Sequence, residues 1–229
     1  IEGVANYSEI IEERIFIKSE NKNLVATLKG VDKNYLNVTN IDTMVTKGSW
    51  ITPKSNEVVS GWGISNNLSF GIFDYLKPLS FYVPKVGKGQ ASSLKGYYNS
   101  VYVNNVGLFE INEELNNNYV FSDIELARRL LSYKEEQLSA IELKLKPNAN
   151  EDEIRSQLKT AFGSKFKIKN RAELNDALFK MLNTENLAIY LIFTLVLIIA
   201  LFNVIGSIIM MILDKRKNLA TLFNIGVTP

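Results

Sequence analysis

From Asn186 to Leu213 the chain runs for 28 residues without a charged side chain, and most positions are Leu, Ile, Val, Phe, Met or Ala. About 20 such residues carry a helix across the hydrocarbon core of a bilayer. Backbone N–H and C=O groups in lipid must be satisfied within the segment, so this run is expected to be a transmembrane helix. The overall balance of 46% hydrophobic and 22% charged residues is ordinary, but it hides this concentration at one end. Residues 1–185 are correspondingly polar and read as a water-soluble part.

The flanks orient the span. Lys215, Arg216 and Lys217 follow it directly, whereas Glu173, Asp176 and Glu185 outnumber Arg171 and Lys180 before it. By the positive-inside rule the C-terminal tail is expected in the cytoplasm and residues 1–185 outside it. The chain opens at Ile1 with neither a basic n-region nor an apolar h-region. It therefore reads as an excised segment, with a first span or a signal expected upstream.

Composition narrows the function classes. A net charge of +2, with no basic stripe, argues against nucleic acid as a partner. With no Cys and no His, disulfides, thiolate nucleophiles and the commonest general base and transition-metal ligand are absent. Asp32, Glu57, Asp74 and Asp123 are scattered carboxylates without the pairing that acid–base work requires, and they read as turns and caps. Gly87-Lys88-Gly89 lacks the spacing and the following Ser or Thr of a phosphate loop. The reading is a non-catalytic chain with no cofactor of its own.

The outer part reads as mixed α and β. "ERIFIKS", "NLVATLKGV", "LSFYV" and "YNSVYVNNVGLF" have strand character, with "ENKN" as a turn between the first two. Ser122 as N-cap with Glu125 at N3 opens a helix carrying Leu126, Leu130 and Tyr133 on one stripe. "AIELKLK" alternates Ile141, Leu143 and Leu145 against charged neighbours and predicts a half-buried strand ending at Pro147. Asn150 and Glu153 open the next helix, with Ile154, Leu158, Ala161 and Phe162 on it and Gly163 as its stop. "KFKIK" then predicts a second strand. Asn170 with Glu173 forms a capping-box pattern, followed by Leu174, Ala177, Leu178, Met181 and Leu182 at helical spacing. A continuous helix from Arg171 to Leu213 would be about 65 Å long, a stiff link between the outer part and the inner face of the membrane.

Three sets of residues stand out as candidate sites. Asn203 lies deep in the span, with Gly206 and Ser207 one turn on, which fits packing against another transmembrane helix. Beyond the span, Leu219, Leu222 and Phe223 share a face and Gly226 sits at a C-cap position, which fits a short helix docking its apolar side on a protein. Between Asp74 and Glu110 there is no acid, while Lys77, Lys85, Lys88 and Lys95 occur, and Tyr97 closes the Gly/Ser-rich stretch. This predicts a basic hairpin tip, open to an acidic partner or to anionic lipid headgroups.

At this point "LFNVIGSIIMMILDKRKNLATLFNIGVTP" resembles the second transmembrane helix and coupling helix of the FtsX-like ABC transporter permeases, most of all the lipoprotein-releasing permeases of the Lol system. The matching residues are Asn203, Asp214, Lys215, Ala220, Leu222, Gly226, Val227, Thr228 and Pro229. The resemblance extends to "LKGVD", to Gly48, to "VVSGWGISNNLSF" around Gly61, and to "VNNVGLFEINEELNNNYVFSDIELARRLL". It implies an α+β periplasmic core of the MacB type with porter-like strand–helix–strand units and an inserted mostly-β part. On this basis residues 1–170 are the periplasmic core, 171–186 an extramembrane stalk helix, 187–213 the transmembrane helix and 214–229 the cytoplasmic coupling helix. The resemblance further implies a bacterial inner-membrane location and a separate cytoplasmic ATPase that carries the ATP. It also implies a second permease copy or paralogue, and a lipoprotein substrate passed to a periplasmic carrier at a hairpin hook. The loop from Lys85 to Tyr98 holds the hook's place but lacks the proline and arginines of the better-known form. MacB-like efflux, a cell-division-type FtsX permease, and a membrane-anchored extracytoplasmic sensor are the alternatives.

Overall fold

The computed structural model describes residues 3–74, 77–85, 97–163, 166–174, 176–224 and 226. Two compact units divide the chain, Ile1–Ala161 and Phe162–Pro229. In the first, the elements are β1 (Val4–Ser19), β2 (Lys22–Val31), α1 (Tyr35–Val38), β3 (Val45–Gly48), β4 (Glu57–Gly61), α2 (Trp62–Leu68) and β5 (Leu79–Pro84). They continue with β6 (Tyr98–Phe109), α3 (Glu113–Asn118), β7 (Tyr119–Asp123), α4 (Ile124–Leu131), β8 (Ala140–Leu145) and α5 (Glu151–Phe162).

Alternation in the first two strands sets the frame. Ile11, Ile15 and Ile17 of β1 and Ala26 and Leu28 of β2 point to one side and are buried, as the two-residue period of a strand requires. The hairpin between them turns at Glu20, which takes the left-handed conformation (φ 51°), and pairs Ser19 with Lys22 through Ile10 with Val31. β1 is longer than its partners and uses its other edge twice. Val4–Ile10 pairs with β8 and Phe16–Lys18 with β5, both antiparallel. β5 pairs antiparallel with β6, β6 parallel with β4, β4 antiparallel with β7, and β7 parallel with β2. The pairing therefore closes on itself through six strands, with β3 and β8 attached outside the ring. Closure removes the open edges that such a sheet would otherwise expose.

Two apolar clusters lie on opposite faces of this sheet. Val58 and Val120 belong to one and their immediate neighbours Val59 and Phe121 to the other. The first cluster gathers α2 and α4, with Ile64, Leu68, Leu126, Ala127 and Leu130 buried in it. Close approach of α4 to β2 depends on Gly30, where a Cβ would stand only 2.5 Å from the Cβ of Ala127. In the second cluster Phe121 is ringed by Phe109, Trp50 and Tyr35 at centroid distances of 5.2, 5.4 and 6.0 Å. At its edge Gly48 has φ +82° and its Cα faces the Val106 carbonyl too closely for any side chain, so glycine is required there on two counts.

Several expectations shift. Asp123, not Ser122, caps α4, accepting from the Glu125 N–H at 2.8 Å. Ser122 is fully buried and still in the ladder opposite Val58 and Gly30, so the strand runs one residue further than the capping pattern predicts. Glu125 turns to Arg128 at 2.6 Å instead of back to the cap. Ile141 is 56% exposed at the start of β8, while Leu143 and Leu145 on the same side of the strand are half-buried. Residues 166–169 form no strand. Phe166 is exposed and meets Phe162 edge-on at 5.6 Å, and two apolar positions between lysines supply no buried face. The expected strand–helix–strand unit therefore keeps β8 and α5 and lacks its second strand among the described residues. As the sequence predicts, α5 opens at Asn150, which accepts from Asp152 N–H at 3.1 Å, and stops at Gly163 with φ +67°.

The second unit is built on α6 (Arg171–Leu174) and α7 (Asp176–Asn224), the latter 49 residues long.

Candidate functional site: the long helix and the hairpin loop

The helical start matches its sequence signature on both bonds. Asn170 Oδ1 accepts from Glu173 N–H at 2.8 Å and Glu173 Oε2 accepts from Asn170 N–H at 2.9 Å, a reciprocal capping box. α7 then passes through Gly206 and beyond Leu213 to Asn224 without a break. At 1.5 Å per residue it is about 74 Å long. Thr184–Leu222 is long and apolar enough to cross a membrane, and that segment is unburied within the chain. Its apolar side chains, from Leu187 through Leu213, are exposed on every side of the helix, the distribution of a span rather than of a surface helix with one dry stripe. Inside it the Thr194 hydroxyl bonds back to the Tyr190 carbonyl at 2.8 Å, which satisfies one polar group within the helix itself.

Asn203, Gly206 and Ser207 fall on one stripe of α7, at i, i+3 and i+4. A Cβ at Gly206 would meet nothing within 4 Å, so the position is a notch open to a neighbouring helix. Leu219 and Leu222 are both exposed. Helical phase turns them about 160° and 100° away from Asn203, at 100° per residue. One helix thus presents its polar notch to one side and its terminal apolar pair to another. The side chain of Phe223 lies outside the described set. Gly226 has φ +93° two residues after the last helical one, the C′ position where glycine ends a helix.

At the hairpin, the ladder of β5 and β6 ends with Pro84 opposite Tyr98, and Lys85 N–H donates to the Tyr97 carbonyl at 2.8 Å. Lys85 and Tyr97 therefore close the base of the loop, and the Tyr97 ring is exposed. Lys88 and Lys95, with Gly87-Lys88-Gly89, lie outside the described residues. Lys77 is paired with Glu20 at 2.6 Å, both exposed.

One polar cluster has no signature in the sequence. Glu12 and Lys29 are cross-strand partners, and Lys29 Nζ meets Glu142 Oε1 of β8 at 2.5 Å while sitting 5.4 Å from the centre of the Tyr35 ring. Tyr119 donates its hydroxyl to Glu12 Oε1 at 2.9 Å. Burial works against the Lys29 charge, but the Tyr35 phenol and the Glu142 carboxylate outweigh it and raise the pKa. Burial and the Glu12 carboxylate push the Tyr119 phenol up from 10.0 to about 12. Such a raised group contributes fully below its unfolded value and loses that contribution as pH climbs through the folded one. Between pH 10.0 and about 12 the folded state should therefore weaken. Tyr119→Phe is expected to flatten that part of the alkaline fall in unfolding midpoint, and an unchanged profile would count against the Glu12 contact.

The carboxylates singled out in the sequence serve local structure. Asp32 accepts from the Ser8 hydroxyl at 2.6 Å and the Asn34 N–H at 3.1 Å. Asp123 accepts from Lys54 N–H at 3.0 Å besides capping α4, and Glu57 accepts from Thr52 N–H at 2.9 Å. Among the described residues no group of three or more Asp or Glu is placed to hold a metal ion.

No protein-family model matches the chain. It is 21% identical over 231 residues to the lipoprotein-releasing system transmembrane protein LolC of Buchnera aphidicola subsp. Schizaphis graminum, covering 100% of this chain and 55% of the relative. It is 20% identical over 225 residues to LolE of Haemophilus influenzae, covering 97% and 53%. The chain thus spans about half the length of the curated relatives it matches. Among solved structures, the periplasmic region of MacB from Actinobacillus actinomycetemcomitans superposes with a TM-score of 0.52 at 13% identity, covering 78% of this chain and 77% of that one. The resemblance to FtsX-, MacB- and Lol-like permeases, read from scattered motifs, holds across the chain. The fold is a mixed sheet-and-helix domain of the MacB periplasmic kind followed by one long apolar helix.

Proposed function

We propose that this chain is the outer domain, second transmembrane helix and coupling segment of an ABC transporter permease that releases lipoproteins from a bacterial inner membrane. The observation that carries the reading is α7, one unbroken helix from Asp176 to Asn224 in a chain similar over its whole length to lipoprotein-releasing transmembrane proteins. A rigid rod longer than the bilayer is thick transmits displacement without dissipating it in a hinge. In this reading Lys215, Arg216 and Lys217 hold the tail in the cytoplasm, and Leu219, Leu222 and Phe223 rest on a separate ATPase that binds the nucleotide. Asn203, Gly206 and Ser207 pack on another span of the same or a second permease, and residues 1–185 work in the periplasm. The chain itself performs no chemistry. The loop between Lys85 and Tyr97, with Lys88 and Lys95, is the place for a periplasmic carrier or for lipid headgroups.

Depletion of the full-length protein in its host tests this. Newly made outer-membrane lipoproteins are expected to accumulate in the inner membrane, and normal sorting would overturn the lipoprotein reading. The likeness of the outer domain to MacB favours one second reading, outward transport of other cargo. Unchanged lipoprotein sorting with increased sensitivity to exported compounds would select it.

A further inference from the structure

The sheet face opposite α4 is covered at one end and bare at the other. Toward the covered end, Val31, Val59, Val106, Phe109 and Phe121 lie beneath Tyr35, Trp50 and Ile51. Followed along the same strands, β2 runs from covered Val31 back to Val25 and β6 from covered Val106 back to Tyr102, on the same face by the two-residue period. There Val25 is 48% exposed, Phe16 46%, Tyr98 45% and Tyr102 67%. These residues form a connected surface. Phe16 lies opposite Val25 on one side and Tyr82 on the other, while Tyr102 is joined through Ser80 to Lys18, and Tyr98 pairs with Pro84. Adjacent exposed aromatic and aliphatic side chains on a soluble domain mark a surface that another molecule covers.

Charge on this patch has one sign. Arg14 and Lys18 flank Phe16 on its own strand and are exposed, and none of the twelve positions that make up the bare end on β2, β1, β5 and β6 is acidic, while Glu12, next on the same face of β1, accepts from the Tyr119 hydroxyl toward the covered end. Those positions are 23, 25 and 27, then 14, 16 and 18, then 80, 82 and 84, then 98, 100 and 102. Among the described residues neither Arg14 nor Lys18 has an ion pair. A second copy of the same face would bring Arg14 and Lys18 against a surface of their own sign, which disfavours self-association here. Asn23, Thr27, Ser80 and Ser100 stand between the apolar residues. A hydrocarbon interior would leave those groups unpaired, whereas the polar atoms of a protein surface pair them.

We propose that this bare end of the sheet is a docking site for a protein partner whose contact surface is apolar and rimmed by carboxylates. Phe16, Tyr82 and Tyr102 anchor it, and Arg14 and Lys18 orient it. The site stands apart from the transport reading, since it follows from exposure and charge alone.

The test uses the full-length protein in nanodiscs and two synthetic strand-forming peptides of equal leucine content, one alternating Leu with Glu and the other Leu with Lys. The Glu peptide is expected to bind at least about tenfold more tightly, and added salt should weaken it. Phe16→Ser with Tyr102→Ser should lower its affinity by about tenfold or more, and Arg14→Glu with Lys18→Glu should reverse the preference between the peptides. All four positions are exposed, so the variants keep the core, and an unchanged unfolding midpoint checks this. Equal binding of both peptides, or binding indifferent to these substitutions, overturns the proposal. Capture of anionic phospholipid vesicles that is lost in the same variants also overturns it and assigns the face to a membrane.

Discussion

Leu222→Asp is expected to strip the cytoplasmic ATPase from the purified permease while leaving the unfolding midpoint of the outer domain unchanged. Leu222 is half exposed near the end of α7, one turn from Leu219 on the same face, and it has no core to support. A carboxylate buried without a partner in an apolar contact costs several kcal/mol, and truncation of an anchor residue alone commonly costs about 2 kcal/mol or more. A loss of that size is about thirtyfold in affinity, enough to empty the contact during purification. Stoichiometric ATPase in the eluate of the variant would end the coupling role assigned to this segment. Because α7 turns Leu222 about 100° away from Asn203 along the helix, the defect should arise without disturbing the notch at Gly206.

Phe121→Ala should cost about 3–5 kcal/mol, as for other buried aromatic residues cut to alanine. The side chain is 2% exposed and touches three aromatic neighbours, Phe109, Trp50 and Tyr35, from three separate segments. Its removal opens a cavity where β7, β6 and the Trp50 segment meet, and neither strand can shift without breaking ladder pairs. Denaturant unfolding of the purified protein measures the loss, and a cost under about 1 kcal/mol would mean the cluster collapses freely. Such destabilisation takes a large part of the margin that holds a typical domain folded.

Legibility in the sequence followed the range of the interaction. Caps and periodic strands were readable because their partners sit within a few residues: the Asn170–Glu173 box, the Gly163 and Gly226 stops, and the strand character of "ERIFIKS", which forms the second half of β1. β4 escaped notice because Val58, Val59, Ser60 and Gly61 are all buried. A strand covered on both faces has no alternation to detect. Lys29 and Glu142 are 113 residues apart, and nothing local announces that two charges so distant will share a half-buried site. The hairpin base was legible, since Lys85 and Tyr97 flank a Gly/Ser-rich turn, and Leu219, Leu222, Asn203 and Gly206 were legible as helix faces.

The long apolar helix, the capping box that precedes it and its two faces were legible in the sequence alone, because a helix satisfies its backbone within itself and its faces follow from spacing, whereas its unbroken run past Leu213 to Asn224 was not. Only the tertiary structure decided that β1 would pair with β8 at one end and β5 at the other, closing six strands into a ring. It also decided that one half of a sheet face would be covered by Tyr35, Trp50 and Ile51 while Phe16, Val25 and Tyr102 were left bare. Strand partners are chosen by contacts distant in the chain, and an apolar residue in a strand reads the same whether a neighbour covers it or not.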